Sequence, residues 1–347
     1  MCNIAGYVGE KSAAPILLEM LRKQQAFDGA LSTGVATIHN GKLLYRKVIG
    51  DVDTLIRETD VLSLPGTIGI AHSRPAGDSE KYVHPFLSTN EDMALVTNGT
   101  TPPTKYVTQW DEAVQMLEDA GYTFRTEKEN SDGSHPMIKN GNYVSPAEAR
   151  VLLVDYYVKR GKSYTEALAL AATHMYSDNI SVMINQYVSD KIFVVRTTRP
   201  MNVIISEGET YMATTRFAFP DELDGQCIHL PLFHACTVSK TGIEISSDKM
   251  NIEPVDEMTP YTYSEGYKRI SELLKGKENN PLYFDDLELA VGRTMRDLWP
   301  GNHTYVQHAR LVYEILYQLH SEGKLHRIIK PLERASGPVA REFMWID

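Results

Sequence analysis

The sequence contains little cysteine and no long apolar segment. Its 347 residues include three cysteines, Cys2, Cys227 and Cys236, and an odd number at these spacings forms neither a disulfide framework nor a CxxC metal-binding pair. No apolar run approaches the roughly 18 to 20 residues that a membrane-spanning helix needs, and no basic leader followed by an apolar block occurs at the amino terminus. We therefore expect a cytoplasmic protein without a membrane segment.

An excess of positive charge is also lacking. The chain has 35 basic and 45 acidic side chains, a formal charge of −10, so its overall field repels nucleic acid, and nucleic acid is not an expected partner. There is no dinucleotide-binding GxGxxG motif and no zinc-binding HExxH motif, and the eleven histidines form no cluster with cysteine. The sequence therefore predicts neither a cofactor nor a metal ion.

The order of the predicted elements indicates an α+β fold. Hydrophobic residues make up 42% of the chain, which is enough for a substantial core. The pattern predicts, in chain order, a strand over 3–8, a helix over 14–25, a hairpin over 34–49, strands over 66–71 and 93–97, helices over 145–159 and 164–174, and strands between 181 and 214. Strands, then helices, then strands suit a layered sandwich better than β-α-β units around a parallel sheet.

The segment Ser145-Pro146-Ala147-Glu148 has the composition of a helix start. Serine can cap the helix, proline suits its first turn, and Glu148 completes a capping box. The preceding residues 126–144 are polar and rich in turn formers, which predicts a long surface loop.

The character of the chain changes near residue 250. Prolines and glycines there punctuate a mostly helical tail, so we place a boundary between a domain over 1–250 and a small module over 251–347. The module has the outline of a winged helix. From Pro281 onward it carries about eight basic and nine acidic side chains, which favours docking or dimerisation over DNA reading.

Position 2 carries the most informative residue. Removal of Met1 would make Cys2 the amino-terminal residue and place a thiol beside its own free amine. That amine, with an ordinary pKa near 8, can accept the thiol proton directly or through one water. The alternative is a buried cysteine of the first strand.

The sequence around Cys2 resembles the class II glutamine amidotransferases, which belong to the N-terminal-nucleophile hydrolases. The start MCNIAGYVG is similar to the MCGIVGYxG of glucosamine-6-phosphate synthase glutaminase domains. Residues 68–77 (IGIAHSRPAG), 97–99 (TNG) and 121–127 (GYTFRTE) resemble that family's GIAHTRWAT, HNG and GYxFxSxTDTE in the same order. The resemblance covers about residues 2–250 and implies a four-layer αββα sandwich.

The resemblance also implies roles for individual residues. Cys2 would attack a side-chain amide of glutamine and form a thioester, which water hydrolyses to glutamate. Asn98 and Gly99 would stabilise the oxyanion, although Asn-Gly is also a common hairpin turn. Arg74 would bind the substrate carboxylate. Alternatively, Arg74 forms only a surface salt bridge. His72 would lie at the substrate site or pack in its wall.

Several positions depart from the family pattern, all of them on the walls of the expected glutamine pocket. Pro146 stands where the family has the aspartate that binds the substrate amine, and Asp132 is the best substitute, with a solvated loop acid as the equal alternative. Pro75 replaces a tryptophan, and Asp28 replaces an arginine. The hydrolysed amide is therefore either glutamine or a related amide.

Three functions remain open from the sequence. The first is a stand-alone amidohydrolase, because only about one hundred residues follow the resemblance and no synthase module is expected among them. The second is a subunit that supplies ammonia to a separate synthase. The third is a non-catalytic binding or regulatory protein. We expect a small-molecule substrate and a homo-oligomer in each case.

Overall fold

The computed structural model describes residues 2–76, 79–99, 104–130, 133, 135–301, 303–334 and 337–347. Seven strands form the first sheet, in the spatial order β11-β9-β10-β1-β4-β2-β3 with antiparallel neighbours. Their bounds are β1 Asn3–Val8, β2 Ser32–His39, β3 Lys42–Ile49, β4 Ile68–Arg74, β9 Asn202–Ser206, β10 Glu209–Ala213 and β11 Cys227–His229. The amino-terminal strand therefore lies near the middle of this sheet.

The second sheet has six antiparallel strands in the spatial order β13-β12-β8-β7-β6-β5. Their bounds are β5 Phe86–Leu87, β6 Met93–Gly99, β7 Asn179–Asn185, β8 Val188–Arg196, β12 His234–Ser239 and β13 Gly242–Lys249. The strand β5 is short and pairs only with Ala94 and Leu95, so within the described chain the end of β6 has no strand neighbour on that side.

Helices cover the outer faces of both sheets. The first sheet packs against α1 (Ala13–Asp28) and α2 (Val52–Glu58), and the second packs against α3 (Thr104–Asp119), α4 (Pro146–Val158) and α5 (Tyr164–His174). Apolar side chains of the two sheets, such as Ile4 and Val182, meet in the space between them. The predicted four-layer αββα sandwich is confirmed.

Burial on both faces explains the composition of β1. Ile4 and Val8 point toward the second sheet, whereas Ala5 and Tyr7 point toward α1, because successive strand residues face opposite sides. A strand in this position needs mainly apolar residues, and all six residues of β1, including the polar Asn3, are buried.

The carboxy-terminal part of the chain contributes three helices and a small sheet. Their bounds are α6 Pro260–Leu274, β14 Leu282–Tyr283, α7 Phe284–Thr294, α8 His308–Ser321, β15 His326–Arg334 and β16 Gly337–Trp345, and the sheet order is β14-β16-β15. Their apolar core also takes in Phe27 and Phe217 from the amino-terminal part. The tail therefore shares a core with the layers that precede it.

One local expectation from the sequence is wrong, and one alternative is not found. Ser145 makes no side-chain cap at α4, and the Glu148 carboxylate instead accepts hydrogen bonds from the backbone N–H groups of Arg125 and Thr126 at 2.8 and 3.0 Å. Asn98 and Gly99 do not form a turn, because they end β6 and pair with Ile180 and Asn179. Both differences arise from contacts with segments distant in sequence. Among the described residues, every helix is too short or too polar to span a bilayer.

Candidate active site

A cavity of about 500 Å³ opens where β1, β4 and β6 approach the start of α4. The residues that line it come from segments far apart in the sequence. They include Cys2, Arg74, Pro75, Tyr82, His84, Thr97, Gly99, Trp110, Lys128, Pro146, Arg150 and Asn179. The fold thus brings Cys2, Gly99 and Arg74 to one cavity, as the sequence predicts.

Asn98 brackets the backbone of Cys2. The backbone nitrogen of Cys2 donates to the Asn98 side-chain oxygen at 3.2 Å, and the Asn98 side-chain nitrogen donates to the Cys2 carbonyl oxygen at 2.9 Å. Two antiparallel hydrogen bonds to one planar amide fix both the position and the rotation of Cys2. The nucleophile candidate is therefore held by the end of β6, on the opposite sheet.

The backbone N–H of Gly99 faces away from β7. Thr97 directs its N–H to His84 at 3.4 Å and its carbonyl to His72 at 2.9 Å, both on the side opposite to β7. Alternate residues of a strand direct their backbone groups to the same side, so Gly99 presents its N–H on that side too. Because Gly99 lines the cavity, this N–H is suitably placed for an oxyanion.

Gly99 also lies where a side chain would not fit. A Cβ atom there would approach the side-chain nitrogen of Asn179 and the carbonyl oxygen of Asp178 to 2.7 Å each. The close packing of β6 against the start of β7 therefore requires glycine at the edge of the cavity.

Arg74 ends β4 and lines the cavity. Its Nη1 donates to the carbonyl oxygen of Tyr82 at 2.8 Å, which fixes the side chain along the cavity wall. No carboxylate of a described residue pairs with it, so the alternative of a surface salt bridge is not found within the described chain.

His72 lies behind the cavity rather than in it. The ring is 1% exposed and stacks on His84 with 3.9 Å between ring centroids. Burial, with a smaller effect of the Arg74 charge, lowers the pKa of His72 to about 3, and burial holds the pKa of His84 well below its usual range. Both rings are therefore neutral at neutral pH and serve to hold Thr97 in place.

None of the described residues that line the cavity supplies an acidic side chain that could bind the substrate amine. Pro146 lies in the cavity wall, as the aligned sequence predicts. Asp132, the expected substitute, falls outside the described residues. The cavity-lining residues Lys128 and His135 flank that segment.

Sequence reasoning missed Arg150, Trp110 and Asn179. Arg150 is 4% exposed within α4, and its guanidinium carbon lies 5.2 Å from the centre of the Trp110 ring. The Asn179 side-chain nitrogen donates to the Asn98 carbonyl oxygen at 3.2 Å. The sequence did offer one signal for Arg150, because it is a charged residue between Ala149 and Val151 in a helix that is buried on nearly all sides.

A buried charge cluster lies behind the Asn98 strand end. The Arg199 guanidinium contacts the carboxylates of Asp178 and Glu288 at 2.8 Å each, and the His308 ring contacts Glu288 at 3.2 Å. Despite burial, Arg199 and His308 hold the pKa of Glu288 well below its usual range. Arg199, which follows β8, also lies within electrostatic range of Cys2.

The other two cysteines are poor nucleophile candidates. Burial raises the pKa of both Cys227 and Cys236 to about 11, so both remain thiols at neutral pH, and neither lines the cavity. Within the described part of the chain, no group of three or more histidine, cysteine or acidic residues is arranged to hold a metal ion.

Comparison with known proteins gives related sequences for the amino-terminal part. The chain is 24% identical over 222 residues to the glutamine–fructose-6-phosphate aminotransferase (isomerizing) of Pyrococcus horikoshii, a match that covers 63% of this chain and 33% of the relative. It is 30% identical over 217 residues to the protein of the same name from Caldanaerobacter subterraneus, covering 62% and 31%. The chain thus matches about a third of the length of these relatives.

The fold has relatives among solved structures. The glutamine phosphoribosylpyrophosphate amidotransferase from B. subtilis superimposes with a TM-score of 0.59 at 18% sequence identity, covering 79% of this chain and 58% of that one. A scan against models of protein families finds no match. The structural similarity supports the sandwich fold.

Proposed function

Because this chain is homologous to the class II glutamine amidotransferases and shares their N-terminal-nucleophile hydrolase fold, we propose that it hydrolyses a side-chain carboxamide through Cys2. The substrate is glutamine or a related amide, and the products are a carboxylate and ammonia. One observation carries the proposal: Cys2 lines the cavity while Asn98 brackets its backbone and Gly99 directs an N–H to the same side.

The geometry supports a thioester mechanism. After removal of Met1, the Cys2 amine takes the thiol proton, and the sulfur attacks the amide carbon. The Gly99 N–H and the Asn98 amide donate to the tetrahedral oxyanion. Collapse breaks the C–N bond, and the amine gives its proton to the departing ammonia. Water then hydrolyses the thioester and restores the thiol.

Each remaining group has a role in this scheme. Arg74 binds a carboxylate of the substrate, since a guanidinium can hold a carboxylate with two parallel hydrogen bonds. His72 supports the wall of the substrate site from behind, because its ring nitrogen forms a hydrogen bond with the carbonyl oxygen of Thr97. Asp132 stays a candidate for binding a substrate amine. No cofactor is needed for any step.

Ammonia and acid release from protein with Met1 removed tests the proposal. The Cys2→Ala variant is expected to lose turnover, whereas Cys227→Ala, which removes a thiol outside the cavity, keeps it. Full turnover by Cys2→Ala would refute the mechanism. Ligand binding without any turnover by the processed wild type would instead favour a non-catalytic binding or regulatory protein.

We further propose that the boundary near residue 250 separates the catalytic sandwich (1–250) from a winged-helix-like supporting module (251–347). Tyr313 of α8 packs on Phe27 of α1 with 5.5 Å between ring centroids, and Tyr317 packs on Phe217. Much of α8 is buried by these contacts, which favours support of the sandwich over binding to nucleic acid.

An ammonia-accepting partner is the second candidate function. The matched relatives are about three times longer than the matched region. We propose that any synthase which consumes the ammonia acts in the cytoplasm on a separate chain, with this protein as a homo-oligomeric subunit. Co-purification of such an enzyme would support this, and glutaminase turnover unaffected by any co-purifying chain would argue against it.

A further inference from the structure

Among the described residues that line the cavity, every charged side chain is basic. Arg74, Lys128 and Arg150 line it, together with His135, the neutral ring of His84 and uncharged polar side chains, and no described aspartate or glutamate does so. A ligand that enters this cavity therefore meets positive charge on several sides. An ammonium group on that ligand would meet no carboxylate of a described lining residue.

Arg150 is the most informative of the three cations. Its Nη2 donates to the Met175 carbonyl oxygen at 2.6 Å and to the Ser177 hydroxyl oxygen at 2.8 Å, whereas its Nε has no hydrogen-bond partner. No described carboxylate forms an ion pair with it. Burial lowers the pKa of Arg150 to about 10, so the group still carries its charge at neutral pH.

A buried guanidinium without an acidic partner is unusual, because removal of a charge from water is costly unless an opposite charge compensates. At the wall of a cavity, an anionic ligand can supply that opposite charge. The planar fork of arginine suits a carboxylate, and the Trp110 ring lies beside the guanidinium, with its centre 5.2 Å from the guanidinium carbon.

The position of Arg150 on α4 adds a second argument. Pro146 and Arg150 are four residues apart, so both lie on the same face of the helix, and both line the cavity. The face that this helix turns toward the ligand thus presents a proline ring and a cation. This surface repels a cationic group and attracts an anionic one.

We propose that the preferred substrate is a carboxamide that bears carboxylate but no ammonium group. This inference rests on the proposed Cys2 chemistry. Arg74 and Arg150 bind the anionic part, while Cys2 attacks the amide carbon. Cys2 forms a thioester as the C–N bond breaks, ammonia leaves with the proton from the Cys2 amine, and water cleaves the thioester. The net reaction converts one amide and one water into a dicarboxylate and ammonia.

Glutaramate and L-glutamine form a matched pair of probes, because they differ only in the α-amine. For the wild type we expect kcat/KM to be at least tenfold higher with glutaramate. Arg150→Met is expected to raise KM for glutaramate at least tenfold and to reduce the preference for glutaramate over glutamine. Arg150→Lys is expected to retain part of that preference. Arg125→Met, which removes an exposed cation outside the cavity lining, is the control for net charge and should keep the preference.

Binding of both probes to Cys2→Ala separates substrate selection from turnover. Tighter binding of glutaramate than of glutamine to this variant supports the inference even if no amide is hydrolysed, an outcome that would count only against the proposed function. Cys2-dependent hydrolysis that favours glutamine would overturn the inference and leave the proposed function standing. If the preference for glutamine then vanished in Asp132→Asn, binding of the substrate amine would be assigned to Asp132.

Discussion

The guanidinium of Arg199 lies 2.8 Å from the carboxylate of Glu288, although the two residues are 89 positions apart in the chain. Arg199 follows β8 of the sandwich, and Glu288 belongs to α7. The contact joins the carboxy-terminal helices to the layer that carries the candidate oxyanion donors. It implies that the tail stabilises the site as well as the fold.

Breaking this buried cluster is expected to be costly. Arg199→Met leaves Asp178 and Glu288 without their shared cation, and we expect a loss of about 3 to 5 kcal/mol of unfolding free energy. Urea denaturation measures the loss. Lys162→Met, which breaks the exposed Lys162–Glu166 pair, is the control and should cost less than about 1 kcal/mol. Equal losses in the two variants would contradict a buried, compensated cluster.

The pKa of Glu288 gives the cluster a dependence on acid. Because Arg199 and His308 depress the folded-state pKa below the unfolded value, Glu288 contributes stability above about pH 4.3. That contribution is lost as the pH falls toward the depressed value. Wild type should therefore lose unfolding free energy more steeply below about pH 4.5 than Glu288→Gln does. If unfolding free energy fell with pH in the same way in both proteins, the pKa of Glu288 would not be depressed in the folded state.

Gly34 is expected to be indispensable to the cavity wall. A Cβ atom at this position would lie 2.0 Å from the carbonyl oxygen of His84, a residue of the cavity lining. Gly34→Ala should therefore cost roughly 2 kcal/mol or more and lower kcat by displacing the wall. Gly242→Ala, also in a strand and with nothing within 4 Å of the new atom, is the matched control. Wild-type stability and kcat in Gly34→Ala would refute the close approach.

The buried histidine pair should make stability depend on pH near neutrality. His72 has a folded-state pKa far below its unfolded value of about 6.5, so the unfolded chain binds more protons in acid and stability falls below about pH 6.5. His72→Gln is expected to reduce this slope by up to about 1.4 kcal/mol per pH unit. His39→Gln, at an exposed site, is the control substitution. An unchanged slope in His72→Gln would mean that the ring can be protonated in the folded state.

The elements with the clearest hydrophobic period could be predicted from the sequence. The strand over Asn3–Val8 and the helix over Tyr164–His174 are found with the predicted bounds. The helices α2 and α3 were not predicted, although Asp51 caps the first of them and apolar residues such as Trp110 and Leu117 recur at helical spacing in the second. Local pattern determines the first two of these elements well, because β1 is buried along its whole length and α5 buries one face.

The site was only partly predictable. Position in the chain and motif order indicated Cys2, Asn98, Gly99 and Arg74. The environment of Arg150 could not be inferred, because its partners Met175 and Ser177 lie 25 or more residues away, beyond α5. Such contacts depend on how layers pack, which local sequence does not encode.

The most direct test of the central claim is to trap the covalent intermediate. Protein with Met1 removed is mixed with glutaramate or L-glutamine, quenched in acid, digested and examined by peptide mass spectrometry. The proposed chemistry predicts an acyl group on the amino-terminal peptide that begins at Cys2, absent from Cys2→Ala. Ammonia release by Cys2→Ala at the wild-type rate, or acylation at Cys227 or Cys236 instead, would contradict it.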